Sequence, residues 1–460
     1  MPLNINDDID FAEREVEREM PDYLQAVDAA RALKVKPQTL YTYVSRGLIR
    51  AVHQADRKEK LYFREDIEKL RSRSVVRVSH GPIGEHGRPF APAADVTRWG
   101  QPALSTAITE ITADGPMYRG RSAIELARDG ASFEAVADFL WTGVDQGTAP
   151  PWEIETIPHG FGQQLDVVVL PSFRAPVARP PVLRQAVVRS TVIRAGATRP
   201  SILRVFASAT SLLGAGDSEQ TDIQRGTTIP SARQLIGTLA GCLGYLAPTP
   251  AFRAPAVGHS IAANVARTLT PNVSKDAIAA IDAVFVLAAD HELSPSTFAA
   301  RVAASTGADL RACVLAAIAT HSGPSLGGTF DRIEDLLRNE PSIERFNESG
   351  VGRASGFSVV AYPNGDPRAR YLLDLARGLA AGIGPAERIL QFISDVEQRL
   401  KLRPTIETAL VALTSALSLP QRSAGALWAL GRSAGWIAHI MEQRLAGVVM
   451  RPRARFAGAA

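Results

Sequence analysis

Through almost all of the chain after Ala103, apolar residues return every three or four positions. That spacing lines one face of an α-helix and differs from the alternation of a half-buried strand. The segments ALSTAITEI, SAIELARDG, SFEAVADFLWTG, ARQLIGTLAGCLGYL, SIAANVARTL, AIAAIDAVFVLAAD, RYLLDLARGLAAGI and TIETALVALTSALSL all carry it, so the expected fold class is mainly α. Strand-compatible runs are few. Between 164 and 193, DVVVLPS and VLRQAVVRSTVI are rich in β-branched residues and fit either short strands or the ends of buried helices. With 460 residues, 46% of them hydrophobic and 21% charged, the chain can bury a sizeable core in two or three domains. No repeat of solenoid period stands out.

The opening residues MPLNINDDIDFAEREVEREM are acidic, and no apolar run reaches the roughly 20 residues that span a bilayer. The expectation is a cytoplasmic protein without a membrane segment. Cys242 and Cys313 are the two cysteines, too few for a disulfide scaffold or a thiolate metal cluster, and they read as buried thiols. His80, His86 and His159 lack ligand spacing, and neither a phosphate-cradling glycine loop nor a dinucleotide fingerprint is visible, so no metal and no cofactor are expected. In Gly258-His259-Ser260 the serine reads as a helix cap, and Trp141 and Trp436 read as core aromatics.

The formal charge of +4 is too small to argue for a nucleic-acid partner, but its distribution is uneven. Residues 1–22 form an acidic segment, and the next fifty are basic. A helix over Tyr23–Leu33, with Leu24, Val27 and Ala30 inward, precedes a turn that opens a second helix at Pro37. That helix runs to Arg46 and Gly47 caps it. Leu48 and Ile49 begin a strand, a charged hairpin passes through Asp56–Glu59, Leu61–Phe63 returns, and Arg64–Leu70 closes as a helix. Residues 23–74 thus resemble a winged helix-turn-helix of the MerR and excisionase type. The resemblance implies that Gln38, Thr39, Tyr41, Thr42 and Arg46 face duplex DNA while Arg57, Lys58 and Lys60 lie near phosphates. A protein-docking role is the alternative. Strong specific binding would need two copies, hence a dimer. Residues 75–100 are rich in Gly, Pro and Ala and read as a linker to a domain over 101–460.

Within that domain, Asp290–Gly328 contains His291-Glu292-Leu293 and ends in Gly323-Pro324-Ser325-Leu326-Gly327-Gly328. With Tyr118-Arg119-Gly120, Leu140-Trp141-Thr142-Gly143, Gly365-Asp366-Pro367-Arg368-Ala369 and Gly431-Arg432-Ser433-Ala434-Gly435-Trp436-Ile437-Ala438-His439, these words resemble citrate synthase, in order, over residues 100–460. The resemblance implies a helical homodimer in which a large domain closes over a smaller one at about 327–420. It implies that His291 binds an oxoacid and that Arg368, Arg432 and Arg451 clamp its carboxylates, the last donated by the partner subunit. The fork of a guanidinium suits that task.

The acid and base positions depart from the family. Leu326 stands where the family keeps one histidine and Val359 where it keeps another, and Glu407 in Pro404-Thr405-Ile406-Glu407 replaces an aspartate. Enolising an acyl thioester needs a base and a donor at the developing oxyanion, which alkyl side chains cannot supply. Ser325, Ser358 or His321 are the groups that could substitute.

Three readings follow. The favoured one is a scaffold that binds an oxaloacetate-like dicarboxylate, an acyl-CoA, or both, with impaired or lost condensation, coupled to a DNA-binding module. The others are an active citrate or methylcitrate synthase, and a non-catalytic subunit that pairs with a competent paralogue.

Overall fold

The computed structural model describes residues 23–33, 35, 40, 43–44, 49, 51–53, 60–64, 66–67, 104–145, 147, 149–174, 201–215, 221–271, 273–339, 341–348, 356–357, 362 and 364–452. The chain divides into two compact units, Met1–Gly87 and Arg88–Ala460.

In the first unit, strands Tyr23–Gln25, Ala51–His53 and Lys60–Phe63 form an antiparallel sheet with Lys60–Phe63 in the middle. Helix Ala26–Leu33 packs on it, and Ala29, Ala30, Leu40, Ile49, Tyr62 and Ile67 make the core. Two expectations change here. Tyr23–Gln25 is a strand and not the first turn of a helix, because Tyr23 pairs with Phe63 and Leu24 with Tyr62. The helix therefore starts at Ala26, which turns Ala29 and Ala30 inward and leaves Val27 63% exposed. Of the residues expected at DNA, Gln38, Thr39, Tyr41, Thr42, Arg46, Arg57 and Lys58 lie outside the described residues, and Lys60 opens the central strand. The 75–100 linker, the VLRQAVVRSTVI run and Val359 also lie outside them.

The second unit begins with a small sheet, Thr109–Thr112, Gly115–Tyr118 and Arg121–Ser122. The expected ALSTAITEI helix is thus corrected: its second half is a strand. The Asp114-Gly115 turn decides this locally, since Thr112 Oγ1 donates to Gly115 O at 2.9 Å and Gly115 takes a φ of +116° that favours glycine. The DVVVLPS run lies within helix Phe161–Arg174.

Helix Ser423–Ala446 is buried along nearly its whole length, with helices Phe133–Thr142, Lys275–Ala288, Pro295–Ser305 and Leu310–His321 packed on it. Glycines in a helix interior each cost about 1 kcal/mol against alanine. Gly431 and Gly435 are nevertheless required, because a Cβ would fall 2.8 Å from Ala288 Cβ at the first and 2.2 Å from Asp290 Oδ1 at the second. Around helix Ile406–Ala416 gather helices Gly327–Arg338, Pro367–Leu379 and Gly384–Leu400.

One continuous hydrophobic core serves the described part of this unit. It includes Trp141 and Trp436, and Cys242 and Cys313 are buried and free. Burial pushes the Cys313 thiol up to about 12. Ser260 caps helix Ile261–Leu269 by accepting from the Ala263 amide at 3.1 Å. Among the described residues, no helix is long and apolar enough to cross a membrane, and no group of His, Cys, Asp and Glu could hold a metal ion.

Candidate functional site

Helix Lys275–Ala288 delivers the chain to Asp290. The buried Tyr118 hydroxyl closes that end, donating toward Val286 O at 3.0 Å and accepting from the Asp290 amide at 3.2 Å. Asp290 is fully buried, which by itself would raise its pKa. The His439 ring and the Arg432 guanidinium beside it outweigh that penalty and hold the carboxyl ionised, below the usual carboxylate range. Oδ1 accepts from Arg432 Nη1 at 2.8 Å. Oδ2 accepts from His439 Nε2 at 3.1 Å and from the Glu292 amide at 3.0 Å. Glu292 adopts φ 51°, a sharp turn in which His291 is presented beside two guanidinium groups.

Burial, and then the positive charges of Arg368 and Arg432, push His291 down to about 3, so its ring is neutral at ordinary pH. Arg368 Nη1 stands 3.5 Å from His291 Nδ1. Facing a donor there, the neutral ring carries its proton on Nε2, which can donate to a ligand oxygen.

Arg368 is 2% exposed, with the rings of Tyr362 and Trp428 at 5.4 and 5.5 Å. Asp366 caps helix Pro367–Leu379 by accepting from the Arg368 amide, and also grips the guanidinium, Nε to Oδ1 at 3.0 Å and Nη2 to Oδ2 at 2.7 Å. That grip uses one edge of the fork and leaves both Nη1 hydrogens and one on Nη2 for His291 and a ligand. Arg432, also 2% exposed, donates to Ala289 O at 3.3 Å, Asp290 Oδ1 at 2.8 Å and Thr297 Oγ1 at 2.9 Å.

Glu407 sits in the first turn of helix Ile406–Ala416, within the field of this cluster. Burial raises its pKa, Asp366 adds to the rise and Arg368 opposes it, which favours a carboxyl able to take and return a proton. The Gly356-Phe357 stretch docks beside it: Gly356 O accepts from the Thr405 amide at 2.9 Å and Thr408 Oγ1 at 2.6 Å. Val359 follows two residues on, outside the described residues.

Leu326 occupies the turn before helix Gly327–Arg338, its amide donating to Gly323 O at 3.0 Å, and its side chain caps nothing. Behind that turn lies His321, 5% exposed. Its ring meets Trp436 edge-on at 5.7 Å, and its Nε2 has no hydrogen-bond partner among the described residues. Burial, then Arg432, pushes it down to about 4.

Arg451 stands apart. It is exposed, and the Met450 amide before it is tied to Ser305 Oγ at 3.1 Å. Ser305 ends the helix whose Thr297 touches Arg432, a separation of about 12 Å at 1.5 Å per residue. The structure therefore gathers His291, Arg368, Arg432 and Glu407, and leaves Arg451 outside that group.

Asp290, Asp366, Thr297 and His439 belong to the same cluster and were missed as site residues in the sequence reading. Asp290 adjoins His291 and Asp366 lies two residues before Arg368, so a search for carboxylates beside the arginine and histidine words would have found those two. No spacing rule links Asp290 to His439 across 149 positions.

A family profile described as "Citrate synthase, C-terminal domain" matches residues 97–453. Citrate synthase 2 of Bacillus subtilis (strain 168) is 30% identical over 269 residues, 55% of this chain and 71% of that protein. The putative citrate synthase 2 of Mycobacterium tuberculosis (strain ATCC 25618 / H37Rv) is 33% identical over 195 residues, and the match spans only 52% of its length. Among solved structures, the ternary complex of carboxymethyl coenzyme A and oxaloacetate with the Thermoplasma acidophilum citrate synthase aligns with a TM-score of 0.59 at 20% identity. That alignment covers 78% of this chain and 94% of the other. The Pyrobaculum aerophilum enzyme aligns with a TM-score of 0.60 at 22% identity, covering 77% and 90%. At such identities the structural likeness establishes the fold alone.

Proposed function

The chain belongs to the citrate synthase family, and from that premise we propose that it binds an oxaloacetate-like dicarboxylate together with an acyl-CoA and condenses them poorly or not at all. The observation that carries this reading is the neutral His291 set against the buried Arg368 and Arg432. In it, each guanidinium offers its unused N–H groups to one carboxylate and His291 Nε2 donates to the oxo group. In this reading Glu407, whose raised pKa suits a base, removes the proton from the acyl carbon. The sequence has Leu326 where the family's histidine would serve the enolate oxygen and Val359 where another would bond the oxoacid carbonyl, so on this reading both donors are lost. Losing one such donor costs about 10²–10³ in rate, and two losses at one site do not simply multiply. A solved relative bound to carboxymethyl coenzyme A and oxaloacetate supports the choice of ligands.

The test pairs two measurements on the full chain. Calorimetry should detect oxaloacetate binding that Arg368→Lys abolishes, and thiol release from acetyl-CoA should stay below about 1 s⁻¹, near the low end of enzyme turnover. Faster turnover defeats the impaired reading and makes the chain an active citrate or methylcitrate synthase. One observation favours that second outcome: the neutral His321 imidazole lies directly behind the Leu326 turn.

The exposed Arg451, anchored away from its own chain's cluster, fits donation to a second subunit. This reading therefore takes a homodimer as the working unit, with a heterodimer with a competent paralogue as the outcome that co-expression and mass measurement would expose. The basic segment 23–74 is read as binding duplex DNA through Gln38, Thr39, Tyr41, Thr42 and Arg46, with Arg57, Lys58 and Lys60 at phosphates. Binding should weaken steeply with salt and disappear in Arg46→Ala with Lys58→Ala. Absence of binding to any genomic fragment at low salt would make the unit a docking module.

A further inference from the structure

Beneath the ligand-facing groups lies a second tier of buried charge. His439 is fully buried, and its Nε2 is 3.1 Å from Asp290 Oδ2. An ionised carboxylate only accepts, so His439 Nε2 carries a proton and donates it. The other nitrogen, Nδ1, faces Arg301 Nη1 at 3.5 Å and Glu442 Oε2 at 3.8 Å. Arg301 is pinned in turn, by Nη1 to Glu442 Oε2 at 2.8 Å and Nε to Gln443 Oε1 at 3.1 Å. Arg432, Gly435 and His439 recur at three- and four-residue intervals and share the face of their helix that meets Asp290. The missing side chain at Gly435 allows that approach, and the Gly435 amide donates to Ala289 O at 2.8 Å.

The geometry points to His439 as the positioning residue of the dicarboxylate site, acting through Asp290 and touching no ligand. This rests on the reading of the His291, Arg368 and Arg432 cluster as that site. With Oδ2 held by His439 and the Glu292 amide, Asp290 can offer only Oδ1 to Arg432, and the guanidinium keeps N–H groups for a ligand. Without the His439 donor only the Glu292 amide still holds Oδ2, and the carboxylate can turn to grip Arg432 with both oxygens, the favoured bidentate arrangement. The arm meant for the ligand's second carboxylate is then consumed internally. His439 thereby sets how well the site distinguishes a dicarboxylate from a monocarboxylate.

The experiment uses the full-length protein, calorimetric titration with oxaloacetate, pyruvate and coenzyme A, and the variants His439→Leu and His439→Gln. The glutamine amide reaches the place of Nε2 and keeps a donor there. His439→Leu should weaken oxaloacetate about tenfold or more, a change of about 1.4 kcal/mol per decade. It should leave coenzyme A unchanged and shrink the preference for oxaloacetate over pyruvate. His439→Gln should recover most of that preference even if its melting temperature drops as far as that of the leucine variant. Should His439→Leu not fold, His439→Asn, whose amide stops short of Asp290, takes its place. An unchanged preference in the variant lacking the donor overturns the proposal, as does a glutamine variant no better than it. Wild-type protein that takes up no dicarboxylate overturns the site reading as well, an outcome visible before any variant is made.

Discussion

Asp290 shows how one buried carboxylate organises a site: His439 and Arg432 together outweigh its burial cost, and the same contacts orient His291 and Arg432. Crowding at this point is measurable. Gly435→Ala would place a methyl group 2.2 Å from Asp290 Oδ1 and 2.4 Å from Ala289 O, so something must shift. Overpacking of this kind costs about 1–3 kcal/mol or more, and the expected outcome is a lower melting temperature together with weakened oxaloacetate binding. Unaltered binding would mean that Asp290 is not what aims Arg432. His291, Arg368, Arg432 and Glu407 could be singled out in the sequence because each lies in a short word that resembles citrate synthase, and the structure brings the four together. Asp290 and His439 were not legible as partners, since their bond joins residues far apart along the chain and no local pattern records it.

Among the elements, helix Pro367–Leu379 depends on Asp366 twice, as its N-cap and as the counter-charge of Arg368. Asp366→Asn keeps a capping oxygen and loses the charge, whereas Asp366→Ala loses both. A lost cap costs about 1 kcal/mol, and a buried ion pair broken on one side about 3–5 kcal/mol. Denaturant titration should therefore find both variants destabilised, alanine more than asparagine. Equal loss would assign the whole effect to charge. Long helices were legible from apolar spacing, as in SFEAVADFLWTG, TIETALVALTSALSL and AIAAIDAVFVLAAD. Of the short strands, Lys60–Phe63 was expected as the Leu61–Phe63 return, whereas Thr109–Thr112 and Tyr23–Gln25 were not legible. Thr109–Thr112 is too brief to separate a period of two from one of 3.6, and Tyr23–Gln25 is a strand because of residues 61–63, a distant partner.

For the second unit as a whole, pH is a lever. Burial and the nearby Glu134 push Asp282 up to about 7, while its Oδ1 accepts from the Phe133 amide at 2.8 Å. The folded state thus keeps a proton that an unfolded aspartate, with a pKa of about 3.9, releases. Between about pH 4 and about pH 7 the native state binds more protons than the unfolded one, so this residue lowers stability as pH rises through that window and adds nothing further above it. Asp282→Asn retains the acceptor and removes the titration. Its melting temperature should gain on wild type steadily from about pH 5 to about pH 7 and then hold its lead. Parallel curves would show that the carboxyl is not protonated in the fold. The first unit, with its small core, should melt in a separate and weaker transition. Arg432, Gly435 and His439 are threaded on one rod sealed inside the larger unit along nearly all its length. Their backbone amides can then trade hydrogen for deuterium only when that unit comes apart globally. Descendants of this sequence cannot retune ligand grip there by loosening a private hinge, so altered grip and altered heat endurance should be inherited together.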